Sequence, residues 1–285
     1  MSPPDAKLPE TSGPDVRTCA GGEAIAAPSA RHDALEGPQA PVPVLYQDDV
    51  LAVVDKPAGL TVHSSKLTGA EPTFLVDRLR AQLGRQIFLA HRLDRATSGC
   101  ILVAFDRATA GLLGEQLMSR EVDKAYLAVC RGWPADAGFT VDHALDGGPG
   151  KPQKKPAVTE FERLATLELP MPTGQFPTAR YALLRARPLT GRFRQIRRHL
   201  KHLSHHLIGD TSHGDGRHNR NFRMLGIHRM LLHASALSFR HPVDGRMLRV
   251  EAAASGEFAR ALALFEPHAG PLAEGVSRPE ERSER

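Results

Sequence analysis

Three cysteines in 285 residues, Cys19, Cys100 and Cys130, lie too far apart for a disulfide framework or a CxxC-type zinc module, and they read as reduced thiols. Long apolar runs are missing as well: nothing approaches the roughly eighteen uninterrupted apolar residues of a membrane span. The opening MSPPDAKLPE lacks the basic segment and apolar run of a secretory leader. No membrane association and a cytoplasmic location are therefore expected. Aromatics make up only 5% of the chain, with one Trp and three Tyr. A Gly-rich strand-to-helix turn and a regular βαβ alternation are both absent, which argues against a dinucleotide fold. No internal repeat is found.

What the chain has is positive charge, unevenly placed. The net charge is +5, but the first 40 residues sum to −3 and the last 18 to −1, leaving +9 on residues 41 to 267. Residues 1 to 40 are rich in Pro, Gly and Ala without apolar periodicity, and 268 to 285 are similar. Such segments bury too little surface to offset ordering entropy, so both are expected to be disordered tails flanking one domain over 41 to 267. A fragment spanning 41 to 267 is expected to carry the chemistry. Between Arg185 and Arg229 stand eleven Lys or Arg against only Asp210 and Asp215, with seven of the fourteen histidines. A stretch of this kind is the footprint of a polyanion-binding face; its bland alternative is a solvated charged surface.

Short apolar, β-branched runs bounded by turn residues predict strands at 42–46, 50–54, 87–90, 100–105, 126–130 and 181–186. Helical spacing occurs at Leu75, Leu79 and Leu83, stopped by Gly84, at Leu112, Leu113 and Leu117, and from Phe258 to Phe265. The mixture points to an α+β domain.

Four segments carry candidate chemistry. HRLDRATSG, residues 91 to 99, is a polar insert between two strand-like runs, and such a tethered loop is where a scaffold presents reactive groups. Asp94 stands there beside His91, Arg92 and Arg95. A carboxylate among cations stays ionised and serves as nucleophile or general base; a turn-forming Asp or a plain ion pair is the alternative. In TGRFRQIRRHLKHL, residues 190 to 203, Phe193, Ile196, Leu200 and Leu203 form one apolar helix stripe. Arg194, Arg198 and Lys201 fall on its outer face. Arg197 falls at the stripe's edge, placed either to reach a carboxylate bidentately or to face phosphate. KAYLAVCRG, residues 124 to 132, puts Tyr126 on one strand face with Lys124, Ala128 and Cys130, where it either stacks on a base or merely packs. KPAGLTVH, residues 56 to 63, reads as a turn after a strand.

Read along the chain as KPAGLTVH, HRLDRATSG, KAYLAVCRG, TGRFRQIR and then HRMLLHASALSFRHP at 228 to 242, these segments over some 200 residues resemble the RluA-type pseudouridine synthases, whose hallmark is HRLDxxTSG. The stretches FPTARYALLRARPLTGR (176 to 192) and RRHLKHLSHHLIGDTSHGDGRHNR (197 to 220) look like the branch that modifies uridine 65 in the T-stem region of tRNA. The resemblance implies a mixed, mostly antiparallel bent sheet with flanking helices and a central RNA-binding cleft. It also implies roles: Asp94 as the nucleophilic aspartate, Tyr126 as the tyrosine stacking on the target base, and Arg197 as the arginine pairing with the aspartate. Ile196 would pack on the tyrosine, and Arg92 would fill the gap left by a flipped nucleotide. Arg194 departs from the family's usual His in TGRxHQIR, so altered RNA contact is expected there. Arg194, Arg198 and Lys201 are expected to bind substrate.

Moving ribose C1′ from N1 to C5 of uracil involves no redox change and no net hydrolysis, so no cofactor and no metal are expected. A stem nucleotide must be flipped out to be reached, at a cost of a few kcal/mol that phosphate contacts offset. The expected partner is tRNA, with ribosomal RNA as the alternative, and the expected state a monomer. The first 40 residues are too short for an added S4 RNA-binding module, so RNA affinity must come from the catalytic domain. Two rivals remain. A non-catalytic RNA-binding protein of the same fold would not need Asp94, Tyr126 and Arg197 together. A metal enzyme using His199, His202, His205 and His206 conflicts with the interleaved Arg and Lys and with the lack of a carboxylate among them.

Overall fold

A computed structural model describes residues 40–63 and 73–266. The two expected tails, up to residue 39 and from 267 onward, lie outside the described residues, as does most of the segment after His63.

Strands β1 (Val44–Gln47) and β2 (Leu51–Lys56) form a hairpin, followed by helix α1 (Leu75–Leu83). α1 buries Leu75 and Leu79 and closes at Gly84 in the left-handed conformation, as its leucine spacing predicts. β3 (Phe88–Leu89) and β4 (Ser98–Ala104) bracket the HRLDRAT loop, and α2 (Arg107–Met118) starts where the Asp106 carboxylate accepts from the Thr109 amide. Then come β5 (Asp123–Arg131), β6 (Gly138–Asp142), and the small pair β7 (Leu145–Asp146) and β8 (Lys154–Lys155). Long strands β9 (Val158–Leu169) and β10 (Ala179–Pro188) lead into α3 (Gln195–His202) and α4 (Gly216–Met224). The described chain ends with β11 (Leu232–Arg240), β12 (Met247–Glu251) and α5 (Gly256–Ala263).

The main sheet runs β1-β2-β4-β11-β5-β10-β9-β6, with β3 on β4 and β12 on β11. Every pairing in it is antiparallel except β4 with β11, so the expected α+β class and mostly antiparallel sheet hold. Period-two alternation sends successive residues to opposite faces. On β4, Ile101 and Val103 join Val54, Leu75 and Leu79 on one face, while Leu102 and Ala104 join Leu113 and Phe239 on the other. Beyond β11 the faces are filled by Ala128, Leu184, Ile196 and Leu200 on one side and by Val129, Tyr181, Phe222 and Phe258 on the other. Tyr126 touches the core of both halves.

Six strands foreseen from apolar runs are present, with shifted ends. β9, with its Thr and Glu, carries too mixed a pattern to stand out from the sequence, β6, β8 and β12 are short and largely exposed, and β7 spans only two residues. α4 is nearly all polar, GRHNRNFRM, and is held by the Asp215 cap, buried Asn219, Asn221 and Phe222.

Candidate active site

The HRLDRAT loop is tied down at every turn. The His91 Nε2 accepts the Leu102 amide at 3.1 Å, and burial followed by the nearby Lys124 charge pushes His91 down to about 4, so the ring is a neutral acceptor. The Thr97 amide donates to the Asp94 carbonyl at 3.0 Å. Lys56 is fully buried, and its Nζ donates to the carbonyls of Pro57, Leu60 and Arg95 at 2.8, 2.8 and 3.1 Å; the Gly59 amide adds a bond to the Arg95 carbonyl at 2.8 Å. KPAGLTVH is therefore a brace for the loop, in addition to being a turn. Burial, then the charge of Arg229, holds Lys56 at about 7.

Past the loop, the Ser98 hydroxyl accepts from Arg229 at 2.6 Å and donates to His233 Nδ1 at 2.8 Å, while His233 Nε2 donates to the Ala252 carbonyl at 3.0 Å. Burial brings His233 to about 4, consistent with that neutral tautomer. The later histidine and arginine motif at 228 to 242 thus anchors the earlier one.

Against this loop stands Arg197, from the first turns of α3. Its Nη1 donates to Asp94 Oδ2 at 2.6 Å, and its Nε and Nη2 make a bidentate pair with Asp210 at 2.6 and 2.8 Å. The side chain is only 7% exposed, so from the edge of the apolar stripe it reaches inward to carboxylates, bidentately to Asp210, instead of facing outward to phosphate. Asp210 is 0% exposed and also accepts the Ser212 and His213 amides. Burial alone would raise Asp210 and depress Arg197; their mutual hydrogen bonds and charges overcome it, so Asp210 lies below the usual carboxylate range and Arg197 above its own. Asp94, 28% exposed, keeps Oδ1 without a hydrogen-bond partner among the described residues.

Asp94, Tyr126, Arg197, Ile196 and Arg92 all line one cleft of about 810 Å³. Burial, then the charge of Asp94, raises the Tyr126 phenol well above its ordinary range, so the ring faces the carboxylate as a neutral phenol. Arg92 is exposed at the mouth, and Lys124 lines the wall. Arg194 also lines the cleft, in the left-handed conformation (φ 52°), with its guanidinium over the Phe193 ring at 4.8 Å. Lys201 is exposed, while Arg198 binds Asp146 at 2.7 Å. Phe193 precedes the helix proper and Leu203 follows it partly exposed, so the buried stripe is Ile196 and Leu200.

The basic stretch from 185 to 229 does not form one open face. Arg185 pairs with Glu162 at 2.5 Å and Arg187 with Asp123 and Glu160 at 3.4 and 3.7 Å, all across the sheet. The histidines considered as metal ligands are dispersed. His199 is buried between the Thr159 hydroxyl and the His143 carbonyl, His202 stacks on His143, and His205 bonds the Arg131 carbonyl. Asp210 is a functional candidate that no sequence motif singles out. The available signal is its rarity, as one of two acids in a basic stretch.

Residues 50–202 match the model of a family described as RNA pseudouridylate synthase. A Vibrio parahaemolyticus protein named tRNA pseudouridine synthase C is 40% identical over 233 residues, covering 78% of this chain and 94% of that protein. Its namesake from Vibrio cholerae is 42% identical over 218 residues, covering 73% and 89%. A Pectobacterium carotovorum protein of the same name is 42% identical over 219 residues, which is 73% of this chain and 58% of that longer protein. Among solved structures, human RNA pseudouridylate synthase domain containing 1 superposes with a TM-score of 0.62 at 26% identity, over 84% of this chain and 93% of that one.

Proposed function

Since the chain belongs to the RNA pseudouridylate synthase family, we propose that it isomerises a uridine of tRNA to pseudouridine with Asp94 as the catalytic carboxylate. The target this proposal favours is uridine 65, to which the resemblance of residues 176 to 192 and 197 to 220 points. The observation carrying the proposal is the Asp94–Arg197–Asp210 triad at the floor of a cleft walled by Tyr126.

Arg197 occupies one oxygen of Asp94 and leaves the other for substrate. That oxygen acts at the sugar, by attack on C1′ or by removing a proton next to it, or at C6 of the base. In each case the bond from C1′ to N1 breaks with its electrons going to uracil. The uracil turns and C5 bonds to C1′ while the Asp94 bond to C1′ or C6 breaks, or the proton borrowed from C2′ is returned; the C5 proton then leaves and N1 ends protonated. Tyr126, as a neutral phenol, offers its ring face for stacking while the base turns, with Ile196 behind it. Asp210 holds the guanidinium plane so that Nη1 stays aimed at Asp94. Exposed Arg92 at the mouth is placed to enter the gap in the stem.

The test is to incubate the protein with unmodified tRNA and map pseudouridine, beside Asp94→Asn. Modification at one tRNA position by the wild type, with loss of at least a thousandfold in rate in the variant, is expected. Equal rates in both would remove Asp94 from the chemistry, and modification of ribosomal RNA alone would move the substrate to that polymer.

A further inference from the structure

Lys124, the second residue of β5, lines the cleft two positions before Tyr126. Period-two alternation puts both side chains on one strand face, roughly 7 Å apart along the strand. Lys124 is half-buried, yet it donates no hydrogen bond and meets no carboxylate among the described residues. Asp123, the residue before it, belongs to the opposite face and pairs with Arg187 at 3.4 Å. His91, near enough to feel the Lys124 charge, is a neutral ring whose Nε2 is taken by the Leu102 amide.

A lysine on a cleft wall usually lays its stem along apolar side chains and keeps its ammonium in water. Leu117 and Met118, in the same lining, offer such a wall. The ammonium of Lys124 has nevertheless left water: burial is the main cause that lowers its pKa, against an opposing pull from Asp123. A desolvated cation without a counter-ion costs stability, and an anion arriving beside it relieves that cost. The other cations of the cleft are committed or lie in solvent. Arg197 meets Asp94 and Asp210, Arg192 donates to the Pro156 carbonyl, Arg194 lies over Phe193, and Arg92 and Arg120 are exposed.

We propose that the Lys124 ammonium holds the negative charge that develops on uracil during the isomerisation, donating a hydrogen bond to a uracil carbonyl oxygen while the ring lies on Tyr126. This rests on the reading that Asp94 works on a uridine in this cleft. When the bond from C1′ to N1 breaks, its electron pair passes to uracil and spreads over N1, O2 and O4. On the route through C6, attack by Asp94 first sends the electrons of the C5–C6 double bond to O4. Charge on a uracil oxygen is common to every route, and Lys124 keeps its proton in all of them. A donor aimed at charge present only along the reaction path lowers the barrier without tightening ground-state binding. A flanking phosphate, the other anion RNA brings, is charged before and after the reaction, so a lysine serving it would act on affinity.

The experiment compares the full chain with Lys124→Met and Lys124→Arg. It measures single-turnover pseudouridine formation at saturating protein, tRNA affinity as a function of salt, and thermal unfolding. Lys124→Met should slow the saturated rate by about 100- to 1000-fold. Its affinity for tRNA and the salt dependence of that affinity should match the wild type, and its Tm should be no lower, since a half-buried unpaired charge has been removed. Lys124→Arg, which returns a cation, should recover most of the rate. A Lys124→Met rate equal to the wild type, or a Lys124→Arg rate no better than that of Lys124→Met, overturns the proposal. A loss confined to binding, with the slope of log affinity against log salt shallower by about 0.9, would assign Lys124 to a phosphate and overturn it as well. A wild type inactive on tRNA and on ribosomal RNA removes the pseudouridine reading and this one with it, whereas an active wild type with an equally active Lys124→Met removes this one alone.

Discussion

Asp210 is the residue whose removal best separates position from chemistry. It does not itself line the cleft, yet it holds two of the three donors that cleft-lining Arg197 uses. Replacing it by Asn leaves a buried guanidinium short of charge, and the expected outcome is a loss of about 3 kcal/mol in stability. As Arg197 drifts from Asp94, kcat should fall by roughly 100-fold while KM moves little. Urea denaturation and steady-state kinetics of Asp210→Asn check the two parts, and an unchanged kcat would mean that Arg197 needs no second carboxylate. At this scale the meeting of Asp94, Tyr126 and Arg197 in one cleft was foreshadowed by the motifs that carry the family resemblance, since loop position and strand phase alone left a plain ion pair, a packed Tyr and a phosphate-facing Arg equally open. Asp210 and Lys56 were not, because their parts depend on partners 13 and 39 residues away that no local pattern announces.

At the scale of elements, the site depends on how closely β4 and β11 approach. Gly99 has φ 106°, and a Cβ there would overlap the Ala234 carbonyl. Gly99→Ala should therefore cost roughly 2 kcal/mol or more through strain and separation of the two strands. Its urea midpoint should fall clearly below that of the wild type, and an unchanged midpoint would show that the parallel pairing is dispensable. The helices α1, α2 and α5 were legible from leucine and phenylalanine spacing, and α3 from its apolar stripe. β11 was hidden although it lies mid-sheet. Its LHASALSFR alternates small and polar residues, because it is buried by neighbours on both edges and carries His233 for the Ser98 network.

Across the whole molecule, several buried histidines serve as neutral hydrogen-bonding partners, and this sets a pH dependence. His91 and His233 sit near 4 in the folded protein against 6.5 when exposed. Depressed folded values mean that their contribution is full above about pH 6.5 and is lost as pH falls toward 4, since the unfolded chain takes up the protons first. Each should cost on the order of 2 kcal/mol at pH 5 relative to pH 7. Denaturation at the two pH values checks this, and His91→Gln, which keeps an acceptor without titrating, should flatten the slope. The fold class and the order of motifs were readable from the sequence, while the distribution of surface charge was not. Linear clustering of arginines says nothing of acids that neighbouring strands place opposite them, such as Glu162 facing Arg185. The ion pair of Asp94 with Arg197 joins residues 103 positions apart, one carried by the β1-β2-β4 side of the sheet and the other by the β5-β10-β9 side, with β11 between. No fragment limited to one side holds both members of the pair, so under the proposed mechanism catalytic competence doubles as a report that both halves have folded and met along that single seam.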